Sequence, residues 1–239
     1  MVIHHRPESN GGMLRSHASS FEQSIKKLLA DGFCVVRLKE PQHESLSCLG
    51  SARYHEVVAR QQNARSQITL IQNCSFFIGG SSGPIWVALY FGRPTLQVNY
   101  TDFLLNGPFL NCHFVAPMKM KIKSTGASLT CLGLLERGVD GHIFGQQVGD
   151  DIHFVPLSGD DVLCVVDCFR ERISGRALSS NVRTAEEEVV ATRQKYALAI
   201  TSNQLESRHG ACAEWSVEVM RINITAKSPS MSFIFPEQT

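Results

Sequence analysis

The stretch from Cys74 to Gly92, CSFFIGGSSGPIWVALYFG, constrains this chain more than any other. An apolar run enters a loop of small residues, Gly79-Gly80-Ser81-Ser82-Gly83, and leaves it through Pro84 into a second apolar run that Gly92 ends. Proline lacks an N–H that the first helical position does not need, and glycine past the last turn accepts the conformation that stops a helix. The segment therefore reads as a buried strand (Cys74 to Ile78), a tight turn and a short helix (Ile85 to Phe91). Such a turn aims unpaired N–H groups and the positive helix end at one spot, which a phosphate can approach only where side chains are small. The spacing is neither the Gly-Lys-Ser/Thr of ATP-binding loops nor the Gly-x-Gly-x-x-Gly of dinucleotide folds, so neither ATP nor NAD is indicated. A turn kept small for packing alone is the competing explanation.

Elsewhere the pattern alternates strand and helix. Val2 to His5 is a short apolar strand that Arg6 closes, with a polar loop around Asn10, Gly11 and Gly12 behind it. Ser20 and Gln23 have capping-box spacing, and Phe21, Ile25, Leu28 and Leu29 recur at helical spacing until Gly32. Phe33 to Leu38 (FCVVRL) is a strand apolar enough to be buried on both faces. Residues 40 to 63 are polar and aperiodic, so a loop with one helical turn is expected, followed by a helix from Ser66 to Asn73. Pro94 introduces a strand from Thr95 to Asn99. Ser158 with Asp161 opens a further helix lined by Val162, Val165, Val166, Phe169 and Ile173. Two more helices are expected, from Thr184 to Ile200 and around Trp215 to Ile222. The result is an α/β, doubly wound parallel sheet over residues 1–175 with a helical C-terminal extension over 176–239.

Composition excludes several function classes. The 23 basic and 22 acidic side chains form no run of either sign, which leaves no electrostatic footprint for nucleic acid or an anionic membrane surface. The eight cysteines are scattered singly without Cys-x-x-Cys pairs, so they are expected to be reduced, buried and neither metal-binding nor redox-active. No apolar run approaches the roughly 20 residues of a transmembrane helix. A cytoplasmic location is the expectation.

In a parallel sheet the ligand crevice lies at the carboxyl ends of the strands. Arg6 closes the first strand, Arg37 the second, and Asn99 the one that follows the Gly/Ser loop. A guanidinium in such a place can grip a diphosphate with its planar fork, or it can simply form a salt bridge. His4 and His5 stand near the same edge, where packing or diphosphate contact is expected rather than base catalysis. His17, His113, His142 and His153 show no partner in the sequence.

These residues carry a resemblance. VVRL at 35–38, FFIGGSSGP at 76–84 and FGRPTLQVN at 91–99 resemble the C-terminal domain of bacterial glycosyltransferases, similar in turn to the fucosyltransferase, heptosyltransferase and O-GlcNAc transferase groups of the GT-B fold. His4-His5-Arg6 is similar to the His-x-Arg element that in fucosyltransferase-like members places an arginine on the donor diphosphate, and the Ser-Ser-Gly loop resembles the last donor-site motif. The likeness thins from Pro117 to Ile173, where PMKMK follows the family's continuation, and does not extend past Ser174.

The resemblance implies a Rossmann-like three-layer α/β/α sheet, the C-terminal half of a GT-B fold, that transfers a sugar from a UDP- or GDP-linked donor to an acceptor hydroxyl. Arg6 and Arg37 would stabilise charge on the leaving diphosphate. His4, Gly80, Ser81, Ser82, Gly83 and Asn99 would line the nucleotide-sugar site. No Asp-x-Asp element is present, so neither metal nor cofactor is expected. A complete GT-B enzyme carries an N-terminal domain that binds the acceptor, a glycan, lipid or protein, and often supplies the base. Nothing precedes the His-x-Arg strand, so the expectation is a fragment that binds donor without turning it over. A nucleotide-sugar epimerase or hydrolase of the same fold and a non-catalytic nucleotide-binding remnant are the alternatives.

Overall fold

The computed structural model describes residues 1–4, 17–41, 45–46, 50–58, 63–100, 112–129, 151–175 and 232–233. Strands β1 (Val2–His4), β2 (Val35–Lys39), β3 (Tyr54–Val58), β4 (Phe77–Gly79), β5 (Thr95–Tyr100) and β6 (His113–Pro117) are joined at one edge by β10 (Ser232–Phe233). They form a seven-stranded sheet in the order β10-β6-β5-β4-β1-β2-β3, and every pairing in it is parallel. Read from β3 to β6, the order 3-2-1-4-5-6 is that of Rossmann-like folds, in which the chain switches direction between β1 and β4.

Helices cover both faces. A turn of 3-10 helix (Ala18–Phe21) and α1 (Glu22–Ala30) lie on one face with α4 (Gly159–Ile173), and α2 (Ala64–Gln72) and α3 (Gly83–Tyr90) lie on the other. The first face is the larger core: Ile3, Val35, Ile78, Leu96 and Val98 of the sheet meet Ile25 and Leu28 of α1 and Val162, Val165, Val166 and Phe169 of α4. Burying one such side chain stabilises the fold by about 1.5–3 kcal/mol. Phe169 stacks edge-on against Phe76 and Phe114, with ring centroids 5.7 and 5.0 Å away. Lys27 and Asp167, 2.6 Å apart, then tie α1 to α4 at the surface. The second face packs Val2, Leu38 and Phe77 under Ile71, Ile85, Ala88 and Leu89.

The sequence signals that end α3 and open α4 work as expected. Gly92 takes φ +64° and donates to the Leu89 carbonyl. Ser158 and Asp161 form both halves of a capping box. The expected Ser20–Gln23 box does not form: Ser20 is buried within the 3-10 turn, and α1 begins at Glu22 behind Phe21 without a side-chain cap. The stretch 40–63, expected to be a loop, contains β3, which completes the sheet beyond β2. Of the five cysteines among the described residues, only Cys74 is buried; Cys34 is exposed and Cys112, Cys164 and Cys168 are half-buried, all of them free thiols.

Beyond β6 the chain builds a second, antiparallel sheet from β7 (Lys119–Ile122), β8 (Ser128–Leu129) and β9 (Ile152–Val155), in the order β8-β7-β9. The period-two alternation of KMKI puts Met120 inside and Lys119 and Lys121 in solvent. The helices expected at 184–200 and 215–222 lie outside the described residues, and of the extension over 176–239 only Ser232–Phe233 is described, as sheet. No described helix is long and apolar enough to cross a membrane.

Candidate functional site at the switch point of the sheet

The carboxyl ends of β1 and β4 lie side by side, with His4 in register with Gly79. In sheets of this order the crevice between those two strand ends is where ligands bind. The approach is close: a Cβ on Gly79 would stand 2.5 Å from the His4 carbonyl oxygen, so only glycine fits. Gly80 N–H then donates to that same carbonyl at 3.2 Å, which turns the chain over the end of β1.

The loop that follows feeds α3. Ser82 is its N-cap, extended and without a side-chain cap bond, Pro84 occupies the first turn, and no acidic residue stands there. Among the described residues, the backbone N–H groups of Ser81, Ser82 and Gly83 meet no hydrogen-bond acceptor. A helix start in this condition carries positive potential and free donors. The start of α4 is its opposite, since Asp160 and Asp161 fill the first turn, Asp161 closes the capping box, and Lys119 pairs with Asp161 at 2.8 Å. Of these two helix starts, only α3 is open to an anion.

Side chains complete the loop. His4, 4% exposed, places Nδ1 3.0 Å from Ser82 Oγ, and its Nε2 lies 4.0 Å from the Glu40 carboxylate. Ser82 Oγ also donates to the Gly80 carbonyl at 3.2 Å. Gln97, buried in β5, donates through its amide to Ser81 Oγ at 2.7 Å, and His113 of β6 meets the Gln97 carbonyl oxygen at 2.9 Å. Burial pulls the His113 imidazole down to about 4, so the ring is neutral at physiological pH. Sequence reasoning did not find Gln97 or His113 as parts of this site. The signal was present in the polar residue inside TLQVN, since a polar group in an otherwise apolar strand needs a partner.

Arg37 and Asn99, also expected at the site, are held by partners of their own. Arg37 does not close β2, which runs on to Lys39; it is fully buried, in register with Ile3 and Glu56 on the α1/α4 face of the sheet. There its Nη1 meets Glu56 Oε1 at 2.8 Å. Glu56 is gripped further by Ser45 Oγ, Leu46 N–H and Tyr54 OH. Burial alone would raise this carboxyl, but those hydrogen bonds and the Arg37 charge outweigh it and hold the group at about 2. Tyr54 responds in the opposite sense, its phenol raised by burial and by the bond to Glu56.

Asn99 sits inside β5 at a register shift, in the left-handed region at φ +54°, and its Oδ1 accepts from Leu157 N–H at 2.7 Å. It anchors the turn into α4. Asn99→Ala should therefore cost about 2–3 kcal/mol, from the strained φ and the orphaned buried N–H. Asn99→Gly, which relieves the φ, should cost about 1–2 kcal/mol; urea unfolding of both variants checks the order. His5 and Arg6 lie outside the described residues.

No family model matches the sequence, and no curated protein does. Among solved structures the chain is similar to the dodecameric iron-containing heptosyltransferase TibC, determined in complex with ADP-D-β-D-heptose. The identity is 13% and the TM-score 0.44, over 74% of this chain and 47% of that one. The chain thus spans about half the length of that enzyme.

Proposed function

We propose that this chain is the donor-binding half of a glycosyltransferase, and that the loop Gly80 to Gly83 holds the diphosphate of a UDP- or GDP-linked sugar. One observation carries the reading: an uncapped helix start with free N–H groups, made of small residues, at the switch point of a Rossmann-like sheet. The motif resemblance at 76–84 and 91–99 points the same way.

Negative charge grows on the leaving diphosphate as the glycosidic bond breaks. Preformed donors aimed at it stabilise the transition state more than the ground state. In this reading the N–H groups of Ser81 to Gly83 and the hydroxyl of Ser81 supply those donors, while His4 and the Gly80 carbonyl hold the Ser82 hydroxyl in place. The ion pair with Glu56 supports a structural role for Arg37 in place of a diphosphate clamp. The acceptor and the base that takes its proton belong to groups outside this site.

Gly83→Asp tests the reading with little risk to the fold. A Cβ there meets nothing within 4 Å, and a carboxylate at a helix start favours the helix by about 0.3–1 kcal/mol. The same carboxylate repels a diphosphate. Calorimetric titration should find UDP or GDP bound by the wild type and at least about tenfold weaker in the variant, with its melting temperature unchanged or raised. Equal affinity in the two proteins would refute the site.

A further inference from the structure

The buried pair beneath the loop has a direction. Gln97 is 6% exposed and His113 1% exposed, so neither exchanges its partners with bulk water. An amide oxygen only accepts, so at 2.9 Å the His113 Nε2 carries the proton and donates to Gln97 Oε1. That contact pins the amide and leaves its NH2 to donate to Ser81 Oγ, 2.7 Å away. A serine hydroxyl has one hydrogen, and an oxygen already receiving a donor from below turns that hydrogen elsewhere. Ser81 is half-buried at the open start of α3, beside the free N–H groups of the loop.

We propose that His113 and Gln97 are positioning residues that make Ser81 a dedicated hydrogen-bond donor, so that the loop selects a phosphate oxygen and discriminates against ligand groups that must donate. Gln97 and His113 touch no ligand; they act through Ser81, which does. The inference rests on the phosphate reading of the loop and adds to it the point at which an anion is told from a neutral group. A reversed amide would turn every link around, with Ser81 donating downward and showing the crevice a lone pair that repels phosphate. Neutrality of His113 belongs to the same design, since burial holds the ring unprotonated with one hydrogen to give.

The test is a double-mutant cycle read by calorimetric titration of the full chain with UDP and with GDP. Ser81→Ala should bind about tenfold more weakly and Gln97→Met about fivefold more weakly. Once Ser81→Ala is in place, adding Gln97→Met should change affinity by less than about twofold, because nothing is left to orient. If Gln97→Met binds as tightly as wild type, or loses the same factor in both backgrounds, the relay is overturned and the phosphate site stands. If wild type binds neither nucleotide, the site falls and the relay with it. Should Gln97→Met fail to fold, long-range 1H–15N spectra of the wild type decide the matter: an Nε2–H tautomer at His113, assigned by its loss in His113→Gln, is expected, and an Nδ1–H tautomer overturns the proposal.

Discussion

Replacing Glu56 by alanine is expected to lower the free energy of unfolding by about 3–5 kcal/mol, one of the two largest effects foreseen for this chain. The variant keeps Arg37 fully buried while removing the carboxylate that meets its Nη1 at 2.8 Å. It also orphans the Leu46 N–H and the Tyr54 hydroxyl. Urea unfolding measures the loss, and a change below about 1 kcal/mol would mean that the guanidinium is satisfied without Glu56, by its other partners or by water.

The same carboxylate predicts an acid response. Its folded pKa, about 2, lies below the ordinary 4.5, so its contribution is present above pH 4.5 and is lost as pH falls from there toward 2. That span corresponds to about 3 kcal/mol. His113 acts in a higher window: held near 4 against an ordinary 6.5, it contributes stability that is full above pH 6.5 and lost as pH falls toward 4. Wild-type stability should therefore fall in two steps. Glu56→Ala should keep the upper step and lose the lower one.

The second large effect is at Gly79. Gly79→Ala puts a methyl group 2.5 Å from the His4 carbonyl oxygen and 3.0 Å from Phe77 Cε1. Phe77 can rotate slightly, but the carbonyl is backbone of the adjacent strand and accepts from Gly80 N–H. Relief requires β1 and β4 to part in the middle of the sheet, at an expected cost of about 3 kcal/mol or more. A reduced urea midpoint with an unchanged m-value is the predicted readout. An undiminished midpoint would show that the two strands separate easily, and the crevice between them would then be no rigid site.

Most of the elements that build the crevice were readable in the sequence, because each carried a local signal. Pro84 and Gly92 bracket α3, Ser158 and Asp161 open α4, a nearly continuous apolar run marks β2, and Pro94 introduces β5. What escaped was set by partners distant in sequence. β3 (YHEVV) is an edge strand with one side in solvent, so it lacks the apolar run of its neighbours. Missing β3 meant missing Glu56, and without Glu56 a buried Arg37 looks like a strand-end arginine seeking phosphate. Gln97 and His113 are adjacent only through the β5/β6 pairing, whose register no local pattern announces. The Gly/Ser loop itself was readable, yet its openness was not, since that depends on Ser82 turning to His4 and Gly80 in place of capping α3.

The pairing of Ser232 and Phe233 with Phe114 and Val115 bears on how the molecule is made. Among the described residues, the strand that pairs with β6 opposite β5 follows it at a long distance in sequence, Ser232 meeting Phe114. During synthesis β6 therefore waits for this partner until the ribosome has delivered residues 232 and 233. Contacts so distant in sequence form slowly, and an open edge is where other nascent chains can pair wrongly. The yield of correctly folded protein should accordingly depend on the pace at which that distant segment emerges.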